Sequence, residues 1–445
     1  MSGPTTTFAT LDEWIAREAL AFPVDAPGAC DAAVDGMMTS LGDPVELLGF
    51  GEALHGGEAI LQLRNRFFQR LVEAHGYRAI AVESSFPRGR VVNERVAGRG
   101  PASYGAIRET GFSYGFGRLE ANRELVAWMR QYNADAAHQV KVRFYGFDIP
   151  LENVSTDSPR VVLRFVLDYL TSLDGADGAE RRERIESLLG ADADWENAAA
   201  SLDPSAGVGR SAAAATLRIE TEELLSELQI RRPELVDRSG RERYLEALQY
   251  AAVARQLLNY HAALARESPN RISALLGIRD ATMADNLTAI VARERGRGKV
   301  LAFAHNSHLG RSRIEWRYGP HPSRWWSAGA HLKELFGARY ASIGSGVGTS
   351  EANGIGQPEP GTLEALLTST PGQAVLLPTQ RGAGLPAPGV AGLATRTGST
   401  RNPSYTPFSP QSFTDFDWLA VLPSTTYQRG GPPRQRRVAK TTPEA

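Results

Sequence analysis

The chain has 445 residues, 42% hydrophobic and 22% charged, the composition of a folded globular protein with room for two or three domains or one α/β domain with a large insertion. A formal net charge of −1 supplies no global field toward nucleic acid or a membrane, and no apolar run approaches the ~18 residues of a membrane span. Met1-Ser2-Gly3-Pro4-Thr5 has neither the basic segment nor the apolar core of a signal peptide, so a cytoplasmic location is expected, and a lone Cys30 excludes an internal disulfide framework and a cysteine-based zinc site.

Residues 1–44 read as helices, with Thr10 placed to cap the first and apolar positions through Leu20 at helical spacing. A β-α-β unit follows: strand 45–50, helix 58–75 closed by Gly76, and strand 78–83. Ile60, Leu63, Phe67 and Leu71 form the buried stripe of that helix. Arg64 falls about 40° from the stripe's centre at 100° per residue. A guanidinium on the buried side needs a partner, and the carboxylates at the strand ends are the nearest candidates. Helices over 87–97 and 119–132 lead to strand 141–147.

From about 155 to 296 strand-like alternation disappears. Leu217, Leu224, Leu225 and Leu228, then Leu245, Leu248, Leu257 and Leu258, fit long amphipathic helices, which makes this stretch a helical insertion between two strands of one sheet. The β/α pattern resumes with strand 299–304, helix 329–336, strand 339–344, helix 361–369, and strands 374–379 and 417–422. The expected fold is therefore α/β: a mostly parallel sheet flanked by helices. Its core halves are 1–154 and 297–427, interrupted by the insertion 155–296. Residues 381–412, rich in Gly, Pro, Ser and Thr, read as a lid or a long irregular loop, and the residues from 428 as a frayed tail.

The strands share one ending. Each apolar run stops at an acidic residue or a histidine: Gly51-Glu52-Ala53-Leu54-His55-Gly56 after the first, Glu83 after the second, Asp148 after 141–147, and His305-Asn306-Ser307-His308 after 299–304. In an open parallel sheet, ligands and chemistry gather beyond the carboxyl ends of the strands, so these residues share one rim. Glycines around Glu52 and His55 let the backbone turn tightly there. A histidine beginning a helix has its charged form disfavoured by the helix dipole, which suits a neutral base. Glu83 would pair with Arg64, with His55, or with both; Asp148 beside Ile149-Pro150 also fits ordinary turn chemistry. Two other patterns carry less. Gly111-Phe112-Ser113-Tyr114-Gly115 matches the G-x-S-x-G nucleophile elbow but lacks the preceding strand that motif needs. Gly344-Ser345-Gly346-Val347-Gly348 is not a dinucleotide fingerprint.

Taken together, these blocks resemble the erythromycin esterase family, which also includes enzymes assigned to polysaccharide biosynthesis. The resemblance runs from about Leu41 to Pro423 through Gly51–Gly56, Arg64, Ile80–Glu83, Trp128–Asn133, Phe144–Asp148, Arg279–Asn286, Ala304–His308 and Phe416–Leu419. It departs at Gly57, where a small hydroxylated residue is more usual. It implies an α/β core with a helical insertion, and hydrolysis of a macrolide lactone ester with His55 as general base. It also implies that Glu52, Arg64, Glu83, His305 and His308 occupy active-site positions, with Asp148 and Arg279 in support.

The expected chemistry is ester hydrolysis by water without a covalent intermediate. His55 takes the proton, Glu52 or Glu83 holds its ring, His305 or His308 stabilises the oxyanion or protonates the leaving alkoxide, and Arg64 fixes the carboxylates. No cofactor is expected, and the partner is a small-molecule ester. A biosynthetic enzyme of the same fold on a non-macrolide substrate is one alternative, and two others use the same residues. A Zn²⁺ or Mn²⁺ hydrolase has suitable ligand types, but Glu52 and His55 lie in a turn and not in a helical H-E-x-x-H. A non-catalytic binding protein would keep the cleft and tolerate loss of His55.

Overall fold

Near-continuous apolar runs produce strands buried on both faces, and seven such strands with one half-exposed edge strand assemble an eight-stranded sheet. The computed structural model describes residues 10–152, 155–175, 179–318, 321–369, 372–379 and 385–426. Its strands are β1 (Leu20–Pro23), β2 (Leu47–Glu52), β3 (Tyr77–Ser85), β4 (Arg143–Asp148), β5 (Lys299–His305), β6 (Arg313–Tyr318), β7 (His321–Trp326), β8 (Tyr340–Thr349), β9 (Gln373–Pro378) and β10 (Trp418–Ser424). The large sheet has the order β1-β9-β10-β8-β2-β5-β3-β4, and β6 and β7 form a separate hairpin. Strands β10, β8, β2, β5, β3 and β4 are mutually parallel, and β9 runs against both β1 and β10.

Side-chain alternation sorts the core onto two faces. Leu48, Phe50, Ile80, Val82, Leu301 and Phe303 pack with helices Pro27–Leu41, Glu58–Ala74, Phe86–Val96 and Glu120–Ala134. Leu47, Ala79, Ala81, Val300, Ala302 and Ala304 face helices Arg271–Glu294 and Ala328–Phe336 through Met283, Leu287, Ile290 and Leu332. The helices between Arg160 and Leu264 bury a cluster of their own, including Leu163, Leu217, Leu224, Leu228 and Leu257. The last helix of the 155–296 stretch, Arg271–Glu294, instead lies on the sheet as the crossover into β5.

Three elements differ from expectation. Residues 1–44 are not all helical: β1 separates helix Leu11–Glu18 from helix Pro27–Leu41. Its four residues are too few to show a period, and pairing with β9 fixes them. The β6–β7 hairpin was not foreseen. Of the 381–412 stretch, residues 385–412 are described; they carry a short helix, Ala387–Ala391, and residues 402–406 lie against the strand-end rim. The tail from 428 lies outside the described residues.

Candidate active site

Register brings the predicted residues together. In the β2–β5 pairing, Glu52 stands opposite His305, and in β3–β4, Ser85 stands opposite Asp148 after an irregularity beyond Val82. Glycine is required at two points. A Cβ on Gly51 would come within 2.3 Å of Asn306 Oδ1, and Gly56 turns the chain with φ 77°. The helix that follows begins at Gly57, which offers no side-chain cap. The missing hydroxyl comes from Thr425 at the end of β10, whose Oγ1 accepts from Ala59 N at 3.0 Å.

His55 is the most accessible of the central groups, with a third of its side chain exposed. Glu52 Oε1 lies 2.7 Å from its Nδ1, so Nδ1 carries the proton in that bond and the ring's basic nitrogen is Nε2. Burial disfavours the charged ring, but the Glu83 and Glu52 carboxylates outweigh it and raise the pKa above the ordinary histidine value. This corrects the expectation that a helix dipole keeps the ring neutral, because two buried carboxylates at close range exceed a helix end. Burial also raises the pKa of Glu52, against the opposing pull of His55, and its Oε2 is buried without a hydrogen-bond partner.

Glu83 is not held by Arg64. Its Oε1 lies 2.7 Å from Arg279 Nη2 and 3.4 Å from His308 Nε2, and its Oε2 accepts from His305 N at 2.9 Å. Burial opposes its charge, yet His308, His55 and Arg279 hold its pKa well below the ordinary range. Arg279 also donates from Nε and Nη2 to Asp148 Oδ2 at 2.9 and 2.7 Å. Asp148, fully buried, is thus an arginine partner as well as a turn residue, accepting from Ile149 N at 2.9 Å.

Arg64 is buried, 1% exposed, as its place on the helix stripe requires. Its partners differ from those expected: Nε and Nη2 donate to Asn65 Oδ1 at 3.1 and 2.7 Å, and Nη2 to Asn122 Oδ1 at 2.9 Å. The guanidinium lies 4.6 Å from the centroid of Phe303. Phe303 sits two residues short of the end of β5, so the helix presents Arg64 below the rim while Arg279 reaches the carboxylates. Arg64, Glu52 and Glu83 nevertheless line one small cavity of about 20 Å³. Burial lowers the Arg64 pKa to about 10 against the charges of Glu52 and Glu58.

The histidine that ends β5 and the one three residues beyond it differ. Ser307 N donates to His305 Nδ1 at 3.2 Å, and His305 Nε2 lies 2.7 Å from the carbonyl oxygen of Ser404. A carbonyl only accepts, so His305 is neutral with its proton on Nε2. Burial and the nearby His55 lower its pKa to about 3. Nδ1 thus accepts from the Ser307 amide and lies 2.7 Å from the Ser307 hydroxyl, Nε2 donates to a carbonyl, and His305 is not placed as an acid. His308 Nδ1 lies 2.8 Å from Asp280 Oδ1. Burial opposes its charge, but Asp280 and Glu83 raise its pKa to about 10. A further opposing pull comes from Arg279, whose Nη1, a donor only, lies 3.1 Å from Nε2 and favours the neutral ring.

Sequence reasoning missed several residues. Asp280 also accepts from Trp325 Nε1 at 2.7 Å and Ala328 N at 2.8 Å. Ser404 Oγ accepts from His55 N at 2.9 Å, and Asn402 Nδ2 donates to His55 O at 3.3 Å. Tyr114, inside the G-x-S-x-G pattern, reaches Asp148. The Ser113 of that pattern is fully buried and accepts from Ser85 N at 3.1 Å, a structural bond in a turn that no strand precedes. Among the described residues no three His, Cys, Asp or Glu side chains form a group that could hold a metal ion. Nor does any helix among them have the length and apolarity to cross a membrane.

The rim thus joins a carboxylate-backed imidazole to Arg279 and the His308 ring beside it, which suits proton abstraction beside a developing negative charge. Residues 72–425 match the profile of the family described as Erythromycin esterase. The chain is 25% identical over 346 residues to a protein named Erythromycin esterase type II from Escherichia coli, covering 75% of this chain and 76% of that one. Among solved structures, a Bacillus cereus protein superposes with a TM-score of 0.73 at 19% identity, covering 94% and 98% of the two chains. One described as a succinoglycan biosynthesis protein gives 0.69 at 20% identity, covering 96% and 100%. An erythromycin esterase mutant in an open conformation gives 0.61 at 17% identity, covering 88% and 94%.

Proposed function

The chain belongs to the erythromycin esterase family, and from that premise we propose that it is a hydrolase that cleaves a carboxylic ester by direct attack of water. The observation that carries this reading is the 2.7 Å bond from Glu52 to His55 Nδ1 at the carboxyl end of β2, which makes Nε2 the base. Water gives a proton to Nε2 as its oxygen bonds to the ester carbonyl carbon. The tetrahedral oxyanion is met by the positive charge of Arg279 and His308. Collapse breaks the C–O bond to the alcohol, and the alkoxide takes the proton carried by His55. A positioned base of this kind contributes ~10²–10⁴-fold in rate.

The ester we favour is a macrolide lactone, because the Escherichia coli relative bears the name of an esterase of that class. The proposed mechanism proceeds without a metal, with Glu52 Oε1 on His55, Glu83 on Arg279 and His308 on Asp280. Purified protein offered a panel of macrolides, simple esters and acylated sugars, read by mass gain of one water, tests the reading. Turnover of at least one ester, abolished in His55→Asn with melting temperature retained, is the expected result. Turnover above a tenth of wild type in His55→Asn would remove His55 as the base.

A further inference from the structure

Tyr114 holds φ at 58°, the one non-glycine residue with positive φ among those described. That conformation is disfavoured for a bulky side chain and persists only where the surroundings over-determine it. The surroundings do so here. Ser113 N donates to Ser84 Oγ at 2.9 Å and Ser85 N to Ser113 Oγ at 3.1 Å, tying the turn to the end of β3 from both sides. Tyr114 N donates to Glu152 Oε2 at 2.9 Å, and Arg88 pairs with the other oxygen of that carboxylate at 3.1 Å. Gly115 follows in the left-handed region, φ 70°.

The twisted backbone delivers a hydroxyl to the charged rim. Tyr114 OH donates to Asp148 Oδ2 at 3.1 Å and accepts from Arg279 Nη2 at 3.2 Å, while the guanidinium lies 5.8 Å from the ring centroid. The ring also forms part of the accessible wall, 5.5 Å from Phe116, which in turn is 5.3 Å from His55. Arg279 bridges the buried Asp148 on one edge and Glu83 and His308 on the other, so rotation of its plane would move Nη1 away from His308. We propose that Tyr114 is a positioning residue: its hydroxyl, held in place by a strained turn, locks the Arg279 guanidinium so that one edge stays on Asp148 and the other beside Glu83 and His308. The inference rests on the hydrolase reading for its effect on rate, but not for its effect on geometry.

Tyr114→Phe tests this, because it keeps the ring and the turn and removes only the hydroxyl. The first readout needs no substrate. NMR titration of the His308 ring, assigned with a His308→Gln variant, reports the charge beside it. A released Arg279 repels His308⁺ less, so the midpoint should rise relative to wild type. The second readout is turnover. kcat should fall about ten- to a hundredfold, as for a misplaced catalytic group, with KM within about twofold and melting temperature within about 2 °C. An unchanged His308 midpoint overturns the proposal whatever the activity, and a melting temperature that falls in step with kcat reduces Tyr114 to a structural role. A shifted midpoint in a protein whose wild type hydrolyses no ester supports the positioning role while refuting the hydrolase reading.

Discussion

Asp280→Asn removes a single charge from a side chain that is fully buried and receives three donors. His308 Nδ1 and Ala328 N share Oδ1, each at 2.8 Å, and Trp325 Nε1 binds Oδ2 at 2.7 Å. Asparagine has one acceptor oxygen, so its better orientation keeps His308 and Ala328 and turns an NH₂ toward the indole N–H. Stranding that buried donor costs ~1–3 kcal/mol. The second loss is electrostatic. Raising the His308 pKa from 6.5 to about 10 corresponds to a ceiling of ~5 kcal/mol at 1.36 kcal/mol per unit. Burial opposes that rise, and Asp280 leads the charges that produce it, with Glu83 next. Assigning about half the ceiling to Asp280 gives a total near 3–5 kcal/mol at pH 7, or roughly 3–5 °C in melting temperature for a chain of this length. The electrostatic part has a definite pH signature. A pKa raised on folding stabilises fully below the unfolded value of 6.5, and that contribution disappears as pH rises through about 10. Melting curves of wild type and variant from pH 6 to pH 10 should therefore converge, leaving only the hydrogen-bond deficit at the alkaline end. A gap that stays constant across this range would show that His308 carries no charge in the native protein and would remove its positive charge from the proposed mechanism.

The pH–rate profile follows from the same residues. His55 must be neutral to act, and Glu83 and Glu52 outweigh burial to raise its pKa, so kcat/KM should rise with pH through an inflection above 6.5. It should fall again as His308 deprotonates near 10, and an ascending limb centred below 6.5 would contradict the geometry. Arg64→Ala should lower melting temperature, since it strands Asn65 Oδ1 and Asn122 Oδ1 at ~1–3 kcal/mol each. Arg64→Lys should rescue little of this, because an ammonium lacks the planar fork that reaches both amides; an Arg64→Ala protein that melts like wild type would rule out the buried placement. Prolonged chelation followed by metal analysis should leave turnover unchanged, whereas loss restored by stoichiometric Zn²⁺ or Mn²⁺ would bring forward the metallohydrolase alternative.

Much of the site could be read from the chain because strand ends are local features. An apolar run stopping at Glu52, Glu83, Asp148 or His305 identifies a rim residue without knowledge of strand order. Pairing is not local. Arg64 was correctly placed on a buried face, but helical periodicity fixes direction around an axis and not height along a neighbouring strand, so Phe303 and two amides took the place of carboxylates. The arginine that does reach Glu83 and Asp148 is Arg279, on a helix that looked like part of the insertion and lies on the sheet. Tyr114 was hidden because backbone strain leaves no compositional mark. β1 escapes notice because four residues show no period, and the contacts of Asn402 and Ser404 with His55 because they close across more than 340 residues.

The origin of the new oxygen in the product decides whether water is the nucleophile. A single turnover of an ester in water enriched in oxygen-18, with enzyme in excess and mass spectrometry of both the acid and the intact protein, measures it. Attack by His55-activated water puts one heavy oxygen into the carboxylate of the first product formed and leaves the quenched protein at its unmodified mass. Unlabelled acid, or a protein heavier by the acyl group, would mean that a side chain of the enzyme attacks first and that His55 serves some other step.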